Sequence, residues 1–209
     1  MKFTAKIKIC GMKQPDNIRD VAELPIDMMG FIFYPASRRY VGNLDPNSLT
    51  LMPRRITKTG VFVNESENAI LDLAKKYDLQ AIQMHGNESP AACSRLKTCG
   101  YTVIKAFGLE NFDDFEQTIP YENICDYFLF DAKTPIYGGS GFGYNWAILN
   151  HYDGMTPFFL SGGICADDAD RIKELKHPQL YGIDLNSRFE IEPGLKNTQL
   201  LKSFLENLI

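Results

Sequence analysis

Cys10 closes the alternating run Lys6-Ile7-Lys8-Ile9 and is followed at once by Gly11, whose missing side chain lets a ligand approach the thiol. In an extended segment Lys6, Lys8 and Cys10 share one face. An ammonium group at Lys8 beside the thiol would favour the thiolate and make Cys10 a proton acceptor. The plainer alternative is a small core residue at position 10, with Lys8 neutralised by a carboxylate such as Asp184 on a neighbouring strand. Asp131 follows the apolar run Tyr127-Phe128-Leu129-Phe130, where a half-buried carboxyl group can serve as an acid near neutral pH. Its plainer role is a turn residue opening the next loop.

Other residues suggest binding. Arg38, Arg39 and Tyr40 lie on a polar stretch behind an apolar run, and an arginine there is either solvated or a bidentate clamp for a carboxylate. His85 ends the run Ala81-Ile82-Gln83-Met84, either as a core histidine bonded to backbone or as a ligand contact. Gly162-Gly163 follow Phe158-Phe159-Leu160-Ser161, and Asn186-Ser187 follow Asp184-Leu185. Glycine and small hydroxyl residues at such places suit an anion held by backbone N–H groups. The segment Gly138-Gly139-Ser140-Gly141-Phe142-Gly143 lacks the Lys-Ser/Thr ending of a P-loop and reads as a loop covering the substrate.

The chain that must position these groups has 209 residues, 44% of them hydrophobic and 23% charged, ordinary composition for a globular protein with a sizeable core. With 22 basic and 26 acidic side chains the net charge is −4, which argues against a nucleic-acid partner. No apolar run approaches membrane-span length, and the start of the chain does not read as a signal peptide. Five cysteines without CxxC pairs disfavour a disulfide framework or zinc site, so a reducing, cytoplasmic setting is expected.

Short apolar runs at 5–9, 28–33, 60–63, 81–84, 102–107, 127–130, 158–160 and 182–185 read as strands. Helical signals fall between them: 15–24, a start at Asp45-Pro46, 67–77 behind Ser66, and a segment from Ser89-Pro90 to Gly100. Further signals cover 111–121, 144–149, a start at Asp167 or Asp168, and 198–208. Eight strand–helix units across residues 1–209 predict one (β/α)8 TIM-barrel domain, with an open doubly wound sheet as the alternative. In such a barrel the ends of the strands form the ligand-binding mouth, and that is where Cys10, Arg39, His85, Asp131, Gly162, Gly163, Asp184, Asn186 and Ser187 fall.

An ordered set of motifs then carries a resemblance over essentially the whole chain. They are Lys8-Ile9-Cys10-Gly11-Met12, Gly30-Phe31-Ile32-Phe33 with Ser37-Arg38-Arg39-Tyr40, Gly60-Val61-Phe62-Val63-Asn64, and Gln83-Met84-His85-Gly86-Asn87-Glu88. Asp131 with Gly138-Gly139-Ser140-Gly141, Leu160-Ser161-Gly162-Gly163-Ile164, and Asp184 with Pro193-Gly194-Leu195-Lys196 complete the set. It resembles the phosphoribosylanthranilate isomerases of tryptophan biosynthesis. The resemblance implies an Amadori rearrangement of N-(5-phosphoribosyl)anthranilate, with Cys10 as general base and Asp131 as general acid. It also implies a phosphate on the Gly162-Gly163 and Asn186-Ser187 loops, an anthranilate carboxylate near Arg39, and further substrate contacts from His85, Gly139 and Asp184. No metal or organic cofactor is expected, because both proton transfers use side chains. The chain is expected to act as a monomer on a small phosphorylated molecule.

The chain departs from the family pattern in places. Asn186-Ser187-Arg188-Phe189-Glu190 stands where such enzymes commonly read Ser-Ser-Gly-Val-Glu, and Arg188 brings a positive charge near the expected phosphate. Asn197 replaces a usual aspartate and Met84 a usual leucine. Two rivals are weaker. The related histidine-pathway isomerases resemble two half-barrels with paired carboxylates and two phosphate sites, whereas strand one here ends in Cys10 and no half-repeat is visible. A barrel that binds a phosphosugar without turning it over would have no need of Cys10 or Asp131.

Overall fold

The computed structural model describes residues 4–132 and 146–209. Eight of the ten strands described there form one sheet: β1 (Lys6–Ile9), β2 (Met28–Ile32), β3 (Thr57–Phe62), β4 (Ala81–Met84), β5 (Thr102–Leu109), β6 (Tyr127–Ala132), β7 (Phe158–Leu160) and β8 (Leu180–Leu185). All pair in parallel and in chain order, and β8 returns to pair with β1, so the sheet is a closed barrel. Closure rules out the open doubly wound alternative. Four strands, β3, β5, β6 and β8, extend beyond their apolar runs. β3 starts at Thr57 because Thr57 and Lys58 already pair with Met28 and Met29, and β6 continues through Asp131, which pairs with Gly108.

Five α-helices are described: α1 (Pro15–Ala22), α2 (Glu67–Lys76), α3 (Pro90–Thr98), α4 (Ala169–Glu174) and α5 (Thr198–Leu208). Ser66 and Ser89 cap α2 and α3 by accepting from the N–H groups of Ala69 and Ala92. α1 stops short of the expected residue 24, and the Arg55 guanidinium accounts for its end by donating to the carbonyls of Ala22 and Leu24. Three expected helical segments wind instead as 3₁₀ turns, Pro46–Leu49, Phe112–Tyr121 and Trp146–His151. In the second, Pro120 supplies no N–H, and Asn111 and Asp114 tie the start into a tight capping box. A hairpin of β9 (Glu190–Glu192) and β10 (Leu195–Lys196) follows β8 and had no counterpart in the sequence pattern.

Alternation along the strands separates two apolar regions. Phe158 and Leu160 face outward into the core beneath the helices, while Phe159 joins Met28, Ala81, Ile104, Ala106 and Leu129 in a smaller interior cluster. Tyr127 and Tyr181 pack against that cluster with ring centroids 4.2 Å apart. One step nearer the C-terminal ends of the strands, the interior becomes polar. The register pairs Lys8 with Asp184 across the β1–β8 seam, and Nζ lies 2.9 Å from Oδ1 with the side chains 0% and 5% exposed.

Removing one member of such a buried pair strands the other charge. Lys8→Met should therefore lower the unfolding free energy by about 3–5 kcal/mol, and adding Asp184→Leu should recover most of it. Urea denaturation of both variants tests this; equal losses would show that the pair does not hold the seam.

Candidate active site

Cys10 lies one residue beyond β1, anchored on both sides. Its N–H donates to the Leu185 carbonyl on β8 at 2.9 Å, and the next two N–H groups both reach the Gly30 carbonyl on β2 at 3.0 Å. Gly30 is required by close approach: a Cβ there would sit 2.7 Å from Cys10 Sγ and 3.2 Å from Lys8 Nζ. Lys8 Nζ donates to Asp184 Oδ1 at 2.9 Å, as the plainer reading expected, and its ammonium also acts electrostatically on the Cys10 thiol. Burial works against the Lys8 ammonium, but Asp184 and Cys10 more than offset it and hold its pKa above the ordinary lysine value. For Cys10 the balance runs opposite to the sequence expectation. Burial pushes the thiol pKa up, and Lys8 and Lys196 only partly oppose it.

A second network adjoins the first. Arg39 donates from Nε to both Glu190 oxygens at 2.9 and 3.0 Å and from one Nη to Oε2 at 2.6 Å. Glu190 also accepts from Lys196 Nζ at 2.6 Å and from the Gly194 N–H at 3.1 Å. Lys196 Nζ reaches Asn186 Oδ1 as well, at 2.7 Å. The Lys196 and Glu190 side chains are 0% and 4% exposed. Burial opposes the Glu190 carboxylate, yet bonds from Arg39 and Lys196 outweigh it and hold its pKa below the usual range. The predicted clamp Arg39 is thus held along one edge by a carboxylate, and the predicted loop residue Asn186 is held by a buried lysine.

On the far side of the mouth, Asp131 points inward from β6, three strands from β1 around the barrel. His85 Nε2 lies 3.8 Å from Asp131 Oδ2, both side chains about one-third exposed at 35% and 36%. His85 Nδ1 is 2.8 Å from Gln83 Nε2. Burial pushes the His85 pKa down, and the Lys8 and Lys105 ammonium groups add to this. Behind the wall, Lys105 donates to the Gly86 carbonyl at 2.7 Å and Glu88 accepts from the Gly86 N–H at 3.0 Å, fixing the backbone just after His85.

Gly162 and Gly163 follow β7 with φ of +89° and +70°, consecutive left-handed positions that favour glycine. A Cβ on Gly163 would meet nothing within 4 Å, so this backbone borders open space. Ser187 begins a 3₁₀ turn after β8 and is exposed, as is Arg188. Gly139 and the rest of the Gly138–Gly143 segment lie outside the described residues. Sequence reasoning gave no role to Glu190, Lys196 or Gln83; all three stood inside quoted motifs, but nothing in spacing shows which side chain each will meet. Among the described residues no group of His, Cys, Asp and Glu side chains is placed to hold a metal ion.

Two outcomes follow from the Cys10 environment. Gly30→Ala, which drives a methyl group into Sγ, should lower turnover tenfold or more by displacing the Cys10 thiol, about 1.4 kcal/mol or more of barrier; unchanged steady-state kinetics would show the contact can relax. Because burial raises the thiol pKa, its thiolate fraction is small at neutral pH and grows only as pH rises past the ordinary cysteine range. Alkylation followed by peptide mapping should label exposed Cys99 well before Cys10 at neutral pH, with the gap narrowing in alkali. Faster labelling of Cys10 at neutral pH would mean that Lys8 and Lys196 prevail.

Known proteins resemble this chain in sequence and in fold. The family model described as N-(5'phosphoribosyl)anthranilate (PRA) isomerase matches residues 7–207. The N-(5'-phosphoribosyl)anthranilate isomerase of Parabacteroides distasonis is 47% identical over 205 residues, covering 97% of this chain and 93% of that protein. Its counterpart from Phocaeicola vulgatus is 45% identical over 202 residues, covering 97% of both. Among solved structures, the phosphoribosyl anthranilate isomerase of Thermotoga maritima superposes with a TM-score of 0.85 at 34% identity, covering 98% of each chain. A phosphoribosyl anthranilate isomerase in complex with reduced 1-(o-carboxyphenylamino)-1-deoxyribulose 5-phosphate superposes at 0.83 with 29% identity, again over 98% of each chain. The chain belongs to the N-(5'-phosphoribosyl)anthranilate isomerase family.

Proposed function

We propose that Cys10 and Asp131 are the general base and general acid of the family's aldose–ketose isomerisation. The observation that carries this reading is their placement: a thiol after β1 and a carboxyl group on β6 face one barrel mouth from strands three apart. Protonated Asp131 gives its proton to the ribose ring oxygen as the C1′–O bond breaks, and the anthranilate nitrogen lone pair forms the C=N bond of a Schiff-base cation. The Cys10 thiolate then takes the proton from C2′, and that electron pair moves into the C1′–C2′ bond as the C=N electrons return to nitrogen. The enolamine passes a proton from O2′ to C1′ to become the ketone, and proton exchange with solvent resets the acid and base.

Substrate binding follows the same geometry. Glu190 occupies Nε and one Nη of Arg39, and the other Nη is the group offered to the anthranilate carboxylate. Gly162, Gly163, Asn186 and Ser187 cradle the phosphate, and Asp184 acts through Lys8; a substrate contact from Gly139 remains part of this reading on the sequence resemblance alone. His85 borders the acid. In this reading the working unit is a single chain in the cytoplasm, and the net charge of −4 supports the lack of a nucleic-acid partner. No helix among the described residues is long and apolar enough to cross a membrane.

The test is loss of anthranilate–ribose fluorescence with substrate generated in situ. Cys10→Ser and Asp131→Asn should each lower turnover by about 10²-fold or more, the scale of a lost general acid or base. Full activity in either variant would discard that residue's role, and binding without turnover in the unmodified protein would point to a barrel that only holds phosphosugars.

A further inference from the structure

We propose that Gln83 is a positioning residue: it fixes His85 as the neutral tautomer with its proton on Nε2, so that the acid's proton reaches the substrate and not the imidazole. The proposal rests on the reading of Asp131 as the acid. Gln83 Nε2 is an amide nitrogen, a donor with no accepting capacity, and at 2.8 Å it obliges His85 Nδ1 to accept. A neutral imidazole whose Nδ1 accepts carries its hydrogen on Nε2. Nε2 is the atom that faces Asp131 Oδ2 at 3.8 Å.

The opposite tautomer would undo the acid. With the hydrogen on Nδ1, the lone pair of Nε2 would face Asp131 and compete with the ribose ring oxygen for its proton. With the hydrogen on Nε2, His85 has nothing to accept with and instead offers an N–H to the carboxylate that remains after proton transfer. The charged groups acting on His85 favour the neutral form on balance. Lys8 on β1 and Lys105 on β5 oppose a second positive charge, while Asp184 on β8, Glu88 beyond β4 and Asp131 on β6 favour one. Gln83 adds a constraint that these charges do not supply, because an imidazolium needs an acceptor at Nδ1 and finds a donor there. Among the described residues the buried Oε1 of Gln83 has no hydrogen-bond partner, so the contact with His85 is the side chain's polar tie.

Nitrogen-15 spectra of histidine-labelled protein read the tautomer directly. The chain has three histidines, His85, His151 and His177, so the spectrum of His85→Asn assigns the signals. Near neutral pH the unmodified protein should show His85 Nε2 as the protonated nitrogen. Gln83→Met, close in volume but without the donor, should raise the Nδ1–H or imidazolium population. It should also lower kcat about tenfold with KM changed less than about twofold, part of the roughly 10²–10⁴ available to a general acid. An Nδ1–H signature in the unmodified protein overturns the proposal without any variant, so misfolding of Gln83→Met would not shelter it. A Gln83→Met protein that keeps the Nε2–H tautomer, or that changes tautomer with kcat intact, overturns it as well. Absence of turnover in the unmodified protein would sink the assignment of Asp131 and this proposal with it, whereas the wrong tautomer in a fully active enzyme sinks only the role of Gln83.

Discussion

The ion pair between Lys8 and Asp184 sets the terms for the rest of the molecule. Two charges taken out of water at the junction of the first and last strands are tolerable only if they meet at bonding distance, and that holds only in one register of β1 against β8. A one-residue slip of β1 would turn Lys8 toward the apolar shell beneath the helices and leave Asp184 unpaired inside the barrel. The interior therefore divides by height: an aromatic and aliphatic cluster around Phe159 and Leu129, then a charged layer, then the reactive thiol. Gly30 keeps its place in that stack by being small enough for both Lys8 and Cys10 to lean across it.

The second network extends the same logic outward. Lys8, Lys196 and Arg39 face Asp184 and Glu190, three cations against two carboxylates, so this side of the mouth carries one positive charge in excess. A substrate bearing a carboxylate and a phosphate is drawn to such a surplus. Across the mouth the groups are one carboxylate and an uncharged imidazole. Cys10 thus lies where the Lys8 and Lys196 ammonium groups work against the effect of burial, while the imidazole beside Asp131 has its own pKa pushed down.

The barrel was legible because its eight strands are short apolar runs, a pattern that survives without knowledge of any contact. The 3₁₀ geometry of 112–121 was not, because it depends on Pro120 and the Asn111–Asp114 box acting together against an amphipathic pattern that reads as helix. Cys10, Asp131, Arg39 and His85 could be singled out by residue type at the ends of strands. Their partners could not. Arg39 meets Glu190 across 151 positions of sequence, and the thiol's raised pKa reflects how deeply the site is buried, which no local spacing encodes. Gln83 was hidden differently: an interior glutamine in a strand looks like any buried polar residue until its amide is seen against Nδ1 of His85.

Asn17 on α1 shows what closing the circle entails. Its amide donates to the Lys196 carbonyl at 2.9 Å and accepts from the Lys196 N–H at 2.8 Å, standing in for a neighbouring strand and stitching the first helix to the last hairpin. The bonds that organise the reactive mouth span 176, 151 and 179 residues, for Lys8–Asp184, Arg39–Glu190 and Asn17–Lys196. Contacts of such high order form late, after local strand–helix units have condensed. During synthesis the early units emerge with their lysine and arginine side chains solvated and unpaired, and only arrival of the final segment draws those charges inward. Until the last strand and hairpin meet the first strand, Cys10 is without Asp184 and Lys196, two of the charged groups that set its electrostatics.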